Sequence, residues 1–114
     1  MSVIIVDDSA LKIKMIQKYM SKYFSSIEVA ETGAEALDML ESNNYEYVFL
    51  DHHLPDCKGS ELIERIKNAN ESSKIIATSS DYFIQKSFKE IGYDEAFVFP
   101  FDKSVERIVL ENRE

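Results

Sequence analysis

The chain has 114 residues, 45% of them hydrophobic, and carries 21 acidic against 13 basic side chains, a net charge of −8 at neutral pH. This length and apolar content suit one folded domain over 1–114, and exclude both a disordered chain and a catalytic domain paired with a second domain. The acidic balance argues against direct nucleic-acid contact and favours cations or basic partner surfaces, while no apolar stretch approaches the roughly 20 residues of a membrane-spanning helix.

The opening segment, MSVIIVDDSA, has no basic stretch, and its apolar run meets two aspartates at once, so it reads as a strand and not as a leader. Val3 to Val6 is short, continuous and β-branched, the pattern of a strand covered on both faces. Ser9 is placed to cap a helix running to about Lys22, with Leu11, Met15, Ile16 and Tyr19 on one face. Ile27 to Ala30 predicts a second strand. Thr32 and Glu35 then have capping-box spacing for a helix bearing Ala36, Leu37 and Leu40. Tyr47 to Leu50 is the third apolar run and stops at Asp51. A loop with Pro55 and Gly59 leads to a helix with Leu62, Ile63 and Ile66. Ile75 to Ala77 predicts the fourth strand. Phe83, Ile84 and Phe88 belong to one helix that Gly92 ends. Ala96 to Phe99 predicts a fifth strand, and Val105, Ile108 and Val109 a last helix.

Strands alternating with helices imply βαβ units and a doubly wound α/β fold, a five-stranded parallel sheet with helices on both faces. Such sheets place their sites beyond the carboxyl ends of the strands. There the sequence puts Asp7, Asp8 and Ser9 after strand one, and Asp51, His52, His53 and Asp56 after strand three. Thr78, Ser79 and Asp81 follow strand four. Single strand-end aspartates usually cap helices. With strands one and three adjacent, however, three carboxylates meet and repel, a conflict that a divalent cation resolves. An oxygen-only set of this kind suits Mg2+, and a carboxylate such as Asp51 is a competent nucleophile toward phosphorus. His52 and His53 point in opposite directions on extended backbone and make a poor transition-metal pair. The one cysteine, Cys57, permits no intramolecular disulfide, and a cytoplasmic location is expected.

In Ile4-Ile5-Val6-Asp7-Asp8-Ser9, Leu50-Asp51-His52-His53-Leu54-Pro55-Asp56-Cys57-Lys58-Gly59, and Gly92 followed by Pro100-Phe101-Asp102, the chain resembles response-regulator receiver domains of two-component signalling. The resemblance implies a flavodoxin-like sheet of order 2-1-3-4-5. It implies that Asp51 accepts a phosphoryl group from a sensor histidine kinase or phosphotransfer protein, and that the domain signals by docking to an output protein as a monomer or weak homodimer. It further implies that Asp7, Asp8, Asp51 and the backbone carbonyl of His53 hold Mg2+. Ser79 matches the switch hydroxyl, with Thr78 one position early. His53 and Asp81 match the positions that tune the lifetime of the acyl phosphate, where Asp81 either orients a water or simply begins a helix.

Two positions depart from the family. Phe99 stands where the family has a lysine before the proline, and Ala96 where it has a switch aromatic. Lys58 and Lys103 are candidates to replace the lost ammonium. The sequence therefore supports a phosphoacceptor that is not a turnover enzyme, with a phosphorylation-independent pseudo-receiver as the alternative. A phosphatase of similar fold would want an acid at His53. A flavodoxin would want a phosphate-binding loop where Asp7 and Asp8 stand.

Overall fold

The computed structural model describes residues 2–79 and 81–96. Phe97 to Phe99, Pro100, Lys103 and the expected last helix with Val105, Ile108 and Val109 lie outside them. The elements in chain order are β1 (Ser2–Val6), α1 (Ala10–Met20), β2 (Ser26–Ala30), α2 (Gly33–Ser42), β3 (Tyr47–Leu50), α3 (Ser60–Ala69), β4 (Lys74–Ala77), α4 (Tyr82–Lys86), α5 (Phe88–Ile91) and β5 (Glu95–Ala96). All five strands pair in parallel in the order β2-β1-β3-β4-β5.

The continuous apolar runs are explained by burial on both faces. Successive strand residues point to opposite sides, so each run feeds two cores. Ile4, Val6, Val48, Leu50, Ile75 and Ala77 pack against Ala36 and Leu40 of α2, Leu62 and Ile66 of α3, and Ile84 of α4. Val3, Ile5, Tyr47, Phe49 and Ile76 face the other way, onto Ile16 and Met20 of α1 and onto Phe24. Tyr45 and Tyr47 are packing residues, each about 1% exposed.

Two expected helices differ in detail. In α1 the buried stripe is Lys12, Ile16 and Met20, and Leu11 is exposed. The stripe still follows the i, i+4 spacing, but its first member is a charged residue that hydrophobicity alone would place outside. The single helix expected around Phe83 and Phe88 is two short ones. They are divided at Ser87, whose backbone (φ −107°, ψ 19°) leaves the helical region. Gly92 ends the second with φ 122°, a conformation natural to glycine. Phe83 is exposed and Phe88 packs partly against the core.

Ser9 accepts from the Lys12 amide as the α1 cap, and Thr32 accepts from the Glu35 amide at 3.1 Å. Glu35 completes its half of the box one residue early, accepting from Glu31 N at 3.3 Å.

Candidate functional site at the carboxyl rim of the sheet

The sheet's hydrogen-bond ladder runs one residue past each central strand. Asp7 N donates to Ala30 O at 3.0 Å, Asp51 N to Val6 O at 2.9 Å, and Thr78 N to Leu50 O at 3.1 Å. The residues that carry chemistry are therefore fixed by neighbouring strands and not by loops. This brings Asp7, Asp8 and Asp51 together, with one carboxylate oxygen of each within 4.8 Å of the others. Asp7 and Asp51 are buried and Asp8 is exposed.

The group that sequence reasoning missed is Lys12. Its Nζ lies 3.0 Å from Asp7 Oδ2 and 3.2 Å from Asp51 Oδ1, and donates to the Thr78 carbonyl at 3.2 Å. Asp7 Oδ1 accepts from Ser9 N at 2.8 Å. Oδ2 is buried, and the ammonium approaches it outside the angles of a directed hydrogen bond. Burial pushes the Asp7 carboxyl above its ordinary range, with the Ser9 amide and Lys12 acting the other way. Three carboxylates against one ammonium leave two negative charges uncompensated. A buried carboxylate oxygen without a directed donor, in an oxygen-only set short of two positive charges, fits a hard divalent cation. The available signal for Lys12 was its phase, four residues before Ile16 on the buried stripe.

The loop after β3 is pinned. Gly59 N donates to His52 O at 2.7 Å, Leu54 N donates to Cys57 O at 3.1 Å, and His53 forms an antiparallel bridge with Lys58. Gly59 is required by close approach: a Cβ there would lie 2.7 Å from the Asp51 carbonyl and would also meet the Tyr93 hydroxyl. The two histidines do not point in opposite directions as expected: their rings meet edge to face with centroids 5.0 Å apart, although each takes a different partner. His52 is buried, and its Nδ1 shares a hydrogen bond with Tyr93 Oη at 3.1 Å. Burial lowers its pKa, helped by nearby His53 and Lys58. His53 is exposed, and its Nε2 lies 3.1 Å from Asp81 Oδ2.

Asp81 caps α4 by accepting from Phe83 N at 2.9 Å, and its contact with the His53 ring holds its carboxyl below the usual range. Ser79 is buried, and its Oγ accepts from Asp81 N at 3.1 Å. Thr78 Oγ1 is buried without a hydrogen-bond partner. Asp56 is not a rim carboxylate. It reaches to α2 and accepts from Gly33 N at 2.8 Å and Ala34 N at 3.0 Å. Cys57 is half-buried and its thiol is pushed up, first by burial and then by Asp56, so no reactive thiolate is favoured. Ala96 packs partly against the core. Lys58 is exposed and Lys103 lies outside the described residues; among the described residues the ammonium beside Asp51 is that of Lys12.

Comparison with known proteins gives the same answer from an independent direction. The family model for the response regulator receiver domain matches residues 3–106. The sensory transduction protein LytR of Staphylococcus haemolyticus is 35% identical over 111 residues, covering 95% of this chain and 42% of that protein. The chain spans 17% of transcription factor SKN7 of Saccharomyces cerevisiae and 41% of LytR of Staphylococcus saprophyticus, less than half the length of either. A CheY-like receiver domain from Methylobacillus flagellatus superposes with a TM-score of 0.83 at 22% identity, covering 99% of this chain and 98% of that one. A Burkholderia pseudomallei response regulator, solved with a phosphorylated aspartic acid, calcium ion and citrate, gives 0.79 at 18% identity, covering 95% and 64%. No described helix is long and apolar enough to cross a membrane. The parallel sheet of order 2-1-3-4-5, its acidic carboxyl rim and the family match together place this chain in the response regulator receiver domain family of two-component signalling.

Proposed function

We propose that this receiver accepts a phosphoryl group on Asp51 from a phosphohistidine of a sensor histidine kinase or phosphotransfer protein, and signals by docking to an output protein. The observation that carries this reading is the buried Asp51 beside Asp7, whose Oδ2 has no directed donor, with Asp8 completing the cluster. In the transfer, an Asp51 carboxylate oxygen forms a bond to phosphorus as the P–N bond breaks, and the imidazole nitrogen keeps the electron pair. Asp7, Asp8, Asp51 and the His53 carbonyl would hold Mg2+, which when bound neutralises charge on the transferring oxygens. The calcium ion and phosphoaspartate of the Burkholderia neighbour support that assignment.

Ser79 would donate its hydroxyl to the acyl phosphate. Asp81, oriented by His53, would position a water for its hydrolysis. The protein acts once per phosphoryl group and is not a turnover enzyme. It works in the cytoplasm as a monomer or weak homodimer, without direct nucleic-acid contact. Exposed Phe83 and Tyr82 on α4 favour that end of the domain for docking.

A second reading is a pseudo-receiver that binds its partner regardless of phosphate. The small side chain of Ala96, which offers no aromatic switch, favours it. Intact-mass spectrometry after incubation with acetyl phosphate and Mg2+ separates the two. One added phosphoryl mass, lost in Asp51→Asn, is expected. No added mass in the wild type leaves the pseudo-receiver, and a labelled Asp51→Asn moves the site elsewhere.

A further inference from the structure

We propose that Lys12, in the first turn of α1, supplies the ammonium contact to Asp51 and to its phosphoryl group that the family draws from the position of Phe99. The inference rests on Asp51 being the phosphoacceptor.

Several observations converge on Lys12. Its side chain is only 10% exposed, and lysine is rarely buried without partners. Its position in the first helical turn opposes the helix dipole, which favours acidic residues there, and α1 has none in that turn. A residue that breaks both preferences is held by something stronger. Here its ammonium lies 3.0 to 3.2 Å from three oxygens, donating a hydrogen bond to the Thr78 carbonyl and pairing by charge with the carboxylates of Asp7 and Asp51. These come from the ends of β1, β3 and β4, so the ammonium sits over the centre of the rim. The position before Pro100 is phenylalanine, which cannot donate to a phosphoryl oxygen. Of the two other candidate cations, Lys58 is exposed and bridged through its backbone to His53, and Lys103 lies outside the described residues.

The role is specific. On transfer from acetyl phosphate, an Asp51 oxygen bonds to phosphorus and the P–O bond to acetate breaks, with acetate leaving as the anion. Lys12 keeps its proton throughout and donates to the anionic oxygens as their charge moves from acetyl phosphate to Asp51. It is a catalytic residue in the sense that it touches the reacting carboxylate. The alternative is a counterion that merely offsets Asp7 and Asp51 in the resting fold. The two differ once Mg2+ is present, because the metal can replace a counterion but not a directed donor to phosphoryl oxygens.

The test compares wild type, Lys12→Met and Lys12→Met/Phe99→Lys in three assays: Mg2+-dependent shift in melting temperature, Mg2+-dependent beryllofluoride affinity, and labelling rate with acetyl phosphate. Lys12→Met should keep or enlarge the Mg2+ shift. Its beryllofluoride affinity and labelling rate should fall by roughly tenfold or more, the worth of one charge-assisted hydrogen bond. Phe99→Lys should restore part of the loss. Unchanged beryllofluoride affinity and labelling in Lys12→Met overturn the proposal and leave Lys12 a counterion. If Lys12→Met does not fold, Lys12→Arg decides. A changed ratio of beryllofluoride to Mg2+ affinity supports the role, and an unchanged ratio overturns it. A wild type that takes up neither phosphoryl group nor beryllofluoride defeats the Asp51 reading itself, a different result from any of these.

Discussion

Two lysine–aspartate pairs stand at opposite ends of β4, and they are built for different ends. At the amino end, Lys67 Nζ lies 2.8 Å from Asp94 Oδ2 and 2.7 Å from the Ser73 carbonyl, and the same Asp94 oxygen accepts from Ile75 N at 2.8 Å. Both side chains are about 30% exposed, and every contact is a directed hydrogen bond. The pair is a latch that ties α3 to the start of β5 and asks nothing of a ligand. At the carboxyl end, Lys12 is nearly buried and faces two carboxylates, one of which keeps an oxygen without a directed donor. Buried charge left incompletely satisfied is costly, and its persistence in a fold marks a place reserved for another group.

The sharpest way to break this comparison is Asp7→Asn. If the carboxyl rim is a cation site, the Mg2+-induced rise in melting temperature should vanish and labelling should fall on the order of a hundredfold. Loss of labelling with an intact Mg2+ shift would remove Asp7 from the metal set. Gly59→Ala comes next. Its methyl group would press on the Asp51 carbonyl and the Tyr93 hydroxyl, costing about 1–3 kcal/mol by thermal or urea unfolding. At the latch, Asp94→Ala strands the Ile75 amide as well as Lys67, and should cost about 1–3 kcal/mol. Lys67→Met should cost less, about 0.5–1 kcal/mol, and leave labelling unchanged. Any loss of labelling there would erase the distinction between the two ends.

The smallest effect is pH-dependent. Hydrogen bonds from the Gly33 and Ala34 amides hold the Asp56 carboxyl below its usual range. A depressed folded pKa adds stability that is present above the unfolded value, about 3.9, and is lost as pH falls through the folded value. The stability advantage of wild type over Asp56→Asn should therefore be constant at neutral pH and fade below about pH 4. A gap that persists there would mean the carboxylate charge is not what caps α2.

The sheet was legible because its strands are buried on both faces, which leaves uninterrupted runs such as Tyr47 to Leu50. Asp7, Asp8 and Asp51 were legible because each ends a run. Lys12 was not, because a hydrophobic pattern has no way to score a cation that is buried by its partners, and Leu11 took its place on the expected face. The cap that Asp56 supplies to α2 was not legible for a similar reason: its partners at Gly33 and Ala34 are more than twenty residues away in sequence. The break at Ser87 carries no proline or glycine to announce it.

The hydrogen bond from the Asp51 amide to the Val6 carbonyl has a consequence for how a signal can leave the site. An amide inside a central ladder exchanges with solvent only when strands part, so this proton should be among the slowest in the protein and should remain so whatever is attached to the side chain above it. The Asp51 backbone is therefore a fixed post. The Asp51 amide thus offers an internal reference against which the exchange rates of the surrounding loops and helix ends can be read.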